Sequence, residues 1–277
     1  RVVGLVVMIL LTGCTHMGMQ KTLEPVPEIR PGILQGYLPV KELPNSLALL
    51  PSPPTDDSVA FALDDEVNFE SLALHGTPRW DLAALDADLS FPAVAGTFSC
   101  ALNAPISEEE TPHLYRLLRR TLADAGLTSY TAKNHYNRTR PFVLNKQSTC
   151  SPDDEKALRN DGSYPSGHTA IGWAWALILA EVSPEHTDAV LARGWAFGQS
   201  RNICNVHWQS DVLMGQVTGA AAVAMLHSND EFRAAIEASK IELKNVRAQG
   251  LKPVRDCKAE AEALMLYPKS APWPANK

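Results

Sequence analysis

The 277-residue chain has no excess of basic charge: 25 lysines and arginines stand against 31 aspartates and glutamates, for a net charge of −6. A nucleic-acid binder presents a basic face, so that function class is set aside, and cations that meet an anionic ligand must be gathered locally. None of the five cysteines forms a CxxC pair, which argues against a structural zinc site. No alternating run of β-branched residues exceeds a few positions, so the fold is expected to be all-α, a single-domain bundle of many helices. Nor is there an apolar run of the roughly 20 residues that a membrane span needs. Segments 170–182 and 212–226 are apolar nearly all round but shorter than that, as helices buried in a bundle are. No internal repeat is visible. A composition of 45% hydrophobic and 20% charged residues is that of a globular chain, not a disordered one.

What is present begins at the N-terminus. Arg1 precedes the apolar run Val2 to Leu11, of signal-peptide length, and Leu11-Thr12-Gly13-Cys14 resembles a bacterial lipobox. That resemblance implies cleavage before Cys14 and a diacylglycerol on its thiol. With Thr15 rather than aspartate next, it implies a periplasmic protein lipid-anchored to the outer membrane of a Gram-negative bacterium. The missing initiator Met reads as a truncated start. Residues 1–13 are read as the lipoprotein signal peptide, 14–56 as a Pro- and Leu-rich tether and extended arm, 57–248 as an all-helical domain, and 249–277 as a C-terminal tail. Export leaves Cys100, Cys150, Cys204 and Cys257 to form two disulfides in any of three connectivities.

The best-marked helix is "TPHLYRLLRRTLADAG": Thr111 is its expected cap, Pro112 its first residue, Leu114, Leu117, Leu118 and Leu122 its stripe, and Gly126 its stop. Further helices are expected near 130–138, 168–182, 185–202, 207–227 and 229–248, with Gly215 and Gly219 as a small-residue pair for close packing.

Three patches carry chemistry. In "KNHYNRTRP", Lys133 and Arg140 are seven residues apart, so two helical turns would put both cations on one face before Pro141 ends the element. His135, two residues after Lys133, is expected to point away. In "SYPSGHTA", Ser166 caps a greasy helix whose first turn holds Gly167 and His168. In "SRNICNVHWQSD", Arg201 is followed by His207 and Asp211, four apart, so on a helix the carboxylate reaches one imidazole nitrogen and leaves the other free. Singly, each has an ordinary explanation: solvated charges, a helix cap, a satisfied ion pair. Together, three cations, a hydroxyl and a helix N-terminus suit a tetrahedral oxyanion, and two imidazoles supply a nucleophile and an acid.

The patterns Lys-x6-Arg-Pro, Pro-Ser-Gly-His and Ser-Arg-x5-His-x3-Asp are met at every fixed position and in order. They resemble the signature of the type 2 phosphatidic acid phosphatase superfamily, shared with vanadium haloperoxidases. "NSLALLP", "GSYPSGHTAIGWA" and "GQSRNICNVHWQSDV" further resemble the bacterial class A non-specific acid phosphatases, over roughly residues 40–240. The resemblance implies broad-specificity hydrolysis of phosphate monoesters through a phosphohistidine, with no metal or other cofactor. His207 would be the nucleophile, Asp211 its orienting partner and His168 the acid and then the base. Lys133, Arg140, Arg201, Ser166 and Gly167 would bind the phosphate. The cations are expected to lower both imidazole pKa values, with Asp211 opposing at His207, which gives an acid optimum. The resemblance favours Cys150–Cys204, with Cys100–Cys257 as the second pair. The implied partners are small phosphate monoesters and the membrane through the lipid anchor, not nucleic acid; a homo-oligomer stays open. The alternatives are a vanadium-dependent haloperoxidase and a lipid-anchored phosphate-binding protein, which would have no need of His207 and Asp211.

Overall fold

The computed structural model describes residues 23–270, so the expected signal peptide and Cys14 lie outside the described residues. The described residues open with an antiparallel hairpin, β1 (Glu28–Arg30) and β2 (Ile33–Leu34), and their later elements are helical. The helices are α1 (Ser46–Leu49), α2 (Val59–Leu72), α3 (Pro78–Ala87), α4 (Ser99–Leu102), α5 (Pro112–Thr128), α6 (Tyr130–Tyr136) and α7 (Pro141–Asn145). They continue as α8 (Glu155–Leu158), α9 (Gly167–Val182), α10 (Thr187–Ile203), α11 (Gln209–Leu226), α12 (Asp230–Ala248) and α13 (Cys257–Leu264).

Helix α9 is the hub, packed on α5, α10, α11 and α12. Its sequence is apolar on every side because every side is covered. Trp175 is buried in the core beside Phe98 and Phe197, and its indole N–H donates to the Leu118 carbonyl at 3.1 Å. Helix α11 lies against the start of α9 because Gly215 and Gly219 leave room: a Cβ there would collide with the carbonyl oxygens of Ser166 and Ala170. That contact brings the segment before α11 to the N-terminus of α9. Among the described residues no helix is long and apolar enough to cross a membrane.

Two disulfides tie the periphery to this core. Cys100–Cys257 joins α4 to α13, and Cys150–Cys204 joins the stretch before α8 to the end of α10. They span 157 and 54 residues, so in the chain-entropy picture each contributes about 4 to 5 kcal/mol.

Three local expectations are corrected. Helix α5 runs through Gly126 to Thr128, because Gly126 is a packing site against Ile171 rather than a stop. Thr111 occupies the cap position of α5, but its hydroxyl accepts from the Ser107 amide. The first amides of the helix are satisfied instead by Glu242 of α12, which accepts from His113 at 3.0 Å and Leu114 at 2.9 Å. Helix α6 ends at Tyr136, where Asn137 turns left-handed at φ 42°, so Lys133 and Arg140 do not share a helix.

Candidate active site

Lys133 reaches the site from the last turn of α6 and Arg140 from the residue preceding α7. They converge across a loop, not along a helix face. Lys133 Nζ donates to the Gly162 carbonyl at 2.7 Å and lies 3.7 Å from Asp161 Oδ2. Arg140 is held on three sides: Nε donates to the Leu158 and Asp161 carbonyls, Nη2 to Asp161 Oδ2 at 3.0 Å, and Nη1 to the Val206 carbonyl at 2.9 Å. Arg201, near the end of α10, is buried with its Nε unpartnered, and among the described residues it forms no ion pair. Burial, and then Arg140, pull Arg201 down to about 10 and Lys133 down to about 8. The half-exposed Asp161 is the carboxylate that Lys133 and Arg140 share, so the cavity floor carries more positive than negative charge. It is built for an anion.

His207 lies ahead of α11, which begins at Gln209, so its pairing with Asp211 is not an intrahelical one as the spacing suggests. Its Nε2 is 3.0 Å from Arg140 Nη1. A guanidinium only donates, so Nε2 carries its lone pair and the proton sits on Nδ1, 3.4 Å from Asp211 Oδ2. Burial, with Arg140, Lys133 and Arg201, holds His207 well below the usual histidine range.

Asp211 is braced from behind. Its Oδ2 accepts from the Trp208 amide at 2.8 Å and its Oδ1 from Arg138 Nη1 at 2.7 Å. Arg138 Nη2 donates to Asp64 Oδ2 of α2 at 2.8 Å, and the Asp64 carboxylate also takes the amide and hydroxyl of Ser210. The Arg138 guanidinium lies 5.5 Å over the Trp208 ring. Burial raises Asp64, with Ser210 and Arg138 opposing. Sequence reasoning missed Arg138 and Asp64. The local signal for Arg138 was its place two residues before Arg140, since in an extended stretch residues i and i+2 face the same side, here toward the segment that holds His207 and Asp211. Arg140 faces His207 and Arg138 faces Asp211.

His168 sits in the first turn of α9, with Nε2 3.0 Å from the Ala87 carbonyl at the end of α3. A carbonyl only accepts, so Nε2 carries the hydrogen and Nδ1 is the nitrogen that titrates. Burial and then Arg201 push His168 well below its usual value, and the Ala87 hydrogen bond opposes them. The neighbouring Asp86 is fixed by Arg193 and by the Ser200 hydroxyl, whose Oγ is 2.6 Å away. Ser200 of the third motif therefore positions α3 and stays out of the cavity.

Ser166 is fully buried, and its hydroxyl oxygen accepts from the Thr169 amide at 3.2 Å and the Thr169 hydroxyl at 2.9 Å. Gly167 and His168 line the cavity. His135 packs edge-on against Tyr136 and is not part of the wall. The cavity measures about 270 Å³ and joins Lys133, Arg140, Arg201, His168 and His207. Among the described residues no three His, Cys, Asp or Glu side chains gather as metal ligands would.

Residues 116–233, which hold all three motifs, match the PAP2 superfamily. The chain is 44% identical over 212 residues to a non-specific acid phosphatase of Providencia stuartii, covering 76% of this chain and 86% of that one. It is 44% identical to a non-specific acid phosphatase of Salmonella typhimurium over 76% of this chain and 84% of the other. It is 41% identical to an acid phosphatase of Zymomonas mobilis over 75% and 78%. With Lys133, Arg140, His168, Arg201 and His207 gathered on one cavity and that identity spread over most of both chains, the protein belongs to the PAP2 superfamily and, within it, to the non-specific acid phosphatases.

Proposed function

We propose that this acid phosphatase hydrolyses phosphate monoesters, with broad specificity, to an alcohol and inorganic phosphate through a phosphohistidine on His207 and without a metal ion. The observation that carries the reading is the lone pair of His207 Nε2 held 3.0 Å from Arg140 Nη1, beside the buried Lys133 and Arg201. A phosphoryl group drawn onto those cations meets that lone pair. In the first step Nε2 bonds to phosphorus while the ester P–O bond breaks. The leaving oxygen takes the proton from His168 Nδ1, which releases the alcohol. In the second step His168 Nδ1 takes a proton from water, the oxygen attacks phosphorus, the P–N bond breaks, and phosphate departs.

Lys133, Arg140 and Arg201 neutralise the non-bridging oxygens, with the Gly167 amide as a further donor; Ser166, fully buried behind the lining, caps α9. Phosphoryl transfer asks mainly for positioning and charge stabilisation, which fixed cations supply. Asp211 stabilises the positive charge that forms on His207 as the P–N bond is made.

The pH dependence follows from the two imidazoles. His207 must be neutral and His168 protonated, and both are held below the usual histidine range. A depressed His168 loses its proton early as pH rises, so turnover falls toward neutrality. Hydrolysis of phenyl phosphate in the presence of EDTA is expected to peak below pH 7, and His207→Ala to abolish it while calorimetry still detects phosphate binding. A flat or alkaline profile, loss of activity with EDTA, or turnover by His207→Ala would contradict the proposal.

A further inference from the structure

Above its cationic floor the cavity is walled with carbon. Ile29 and Ile33 of the hairpin face it, together with Leu89, Leu122 and Leu127, and Ile171 of α9. Apart from the floor residues and Asp161, the charged side chain on the lining is Arg30. The uncharged polar side chains there are Ser129 and Tyr130, and the Ser129 hydroxyl is already spent on the Gly126 carbonyl at 2.7 Å.

The hairpin wall is fastened, not loosely draped. Arg120 of α5 donates to the carbonyls of Gln35 and Gly36, and Asp124 accepts from the amides of Tyr37 at 2.9 Å and Leu38 at 3.0 Å. Gly36 permits that approach, since a Cβ there would overlap the Asp124 carboxylate. Helix α5, which holds the hairpin, also contributes Leu122 and Leu127 to the same cavity. The wall is therefore part of the folded domain.

We propose that this wall is a leaving-group subsite for the carbon chain of an apolar alcohol, so that the preferred substrates are alkyl and aryl phosphates rather than sugar phosphates. The inference rests on the hydrolase reading of His207 and His168. With the phosphoryl group on the floor, the ester's organic part has only the rest of the cavity to occupy. An apolar chain there is removed from water, whereas a sugar would face carbon with unpaired hydroxyls, which is costly. At about 30 Å³ per water-sized group, the 270 Å³ cavity takes a phosphoryl group and a chain of about four carbons.

The test is kcat/KM for ethyl, propyl, butyl and hexyl phosphate, whose alcohols are nearly equally basic, so that the chemical step is held constant. The expected result is a rise of about two- to fourfold per methylene up to about butyl, then a plateau. Butyl phosphate is also expected to exceed glycerol phosphate. Ile29→Ser, at a half-exposed position of the hairpin, is expected to shrink the butyl-to-ethyl ratio toward one. A flat series in an active enzyme, or an Ile29→Ser ratio equal to wild type, overturns the subsite and leaves the phosphatase mechanism standing. Failure to hydrolyse every ester, ethyl phosphate included, overturns the hydrolase reading itself.

Discussion

The two imidazoles of the site differ in that one of them has a carboxylate partner and the other does not. His207 turns Nδ1 to a carboxylate, and that carboxylate is locked by Arg138 and through it to Asp64. His168 turns Nε2 to the neutral carbonyl of Ala87, with the cation of Arg201 as its strongest charged influence. The physical consequence differs for each ring. A carboxylate favours positive charge on the imidazole it touches, which suits the nucleophile proposed for this ring. A carbonyl fixes the tautomer and offsets burial and the nearby cation only in part, so a proton placed on His168 is readily surrendered, which suits the acid proposed here. Two histidines in one cavity are thus set apart by what stands behind them.

The contrast can be broken from either side. The larger effect is expected from His168→Asn, which should lower kcat on an alkyl phosphate by about 10² to 10⁴. On a dinitrophenyl ester, whose leaving group needs no proton, the loss should be far smaller; equal losses on both esters would deny His168 its role as acid. A smaller effect is expected behind His207. Arg138→Lys keeps the charge but cannot span Asp64 and Asp211 together, so kcat should fall about tenfold with KM nearly unchanged. An unchanged kcat would show that Asp211 is positioned without Arg138.

The side chains that face the phosphate region were legible in the sequence because each carries its chemistry in its own identity: Lys133, Arg140, Gly167, His168, Arg201 and His207 all line one cavity. The geometry that gathers them was not. Equal spacing on a helix wheel placed Lys133 beside Arg140 for the wrong reason; a left-handed Asn137 and a loop bring them together. The i to i+4 spacing of His207 and Asp211 was likewise read as helical, whereas His207 precedes the helix and Asp211 takes the Trp208 amide.

The supporting groups were less legible still. Asp64 lies 74 residues from Arg138, and no local pattern announces a pair so distant. The partner of His168 is a backbone carbonyl, which has no residue type to read. The hairpin escaped notice because strands of three and two residues are too short to show an alternating pattern. Helix α9, by contrast, was readable from its unbroken apolar run because every face of it is covered, whereas the equally apolar α11 leaves Val217, Ala224 and Met225 exposed, so its run overstated its burial.

The covalent role of His207 is tested most directly by trapping the phosphoenzyme. Denaturing the enzyme in acid or base during turnover of a radiolabelled monoester, then mapping the labelled peptide, distinguishes the bond types. The expected result is a label stable to base and labile to acid, located on His207 and absent in His207→Ala. A label on Ser166 or on His168, or one that persists in His207→Ala, would contradict the assignment.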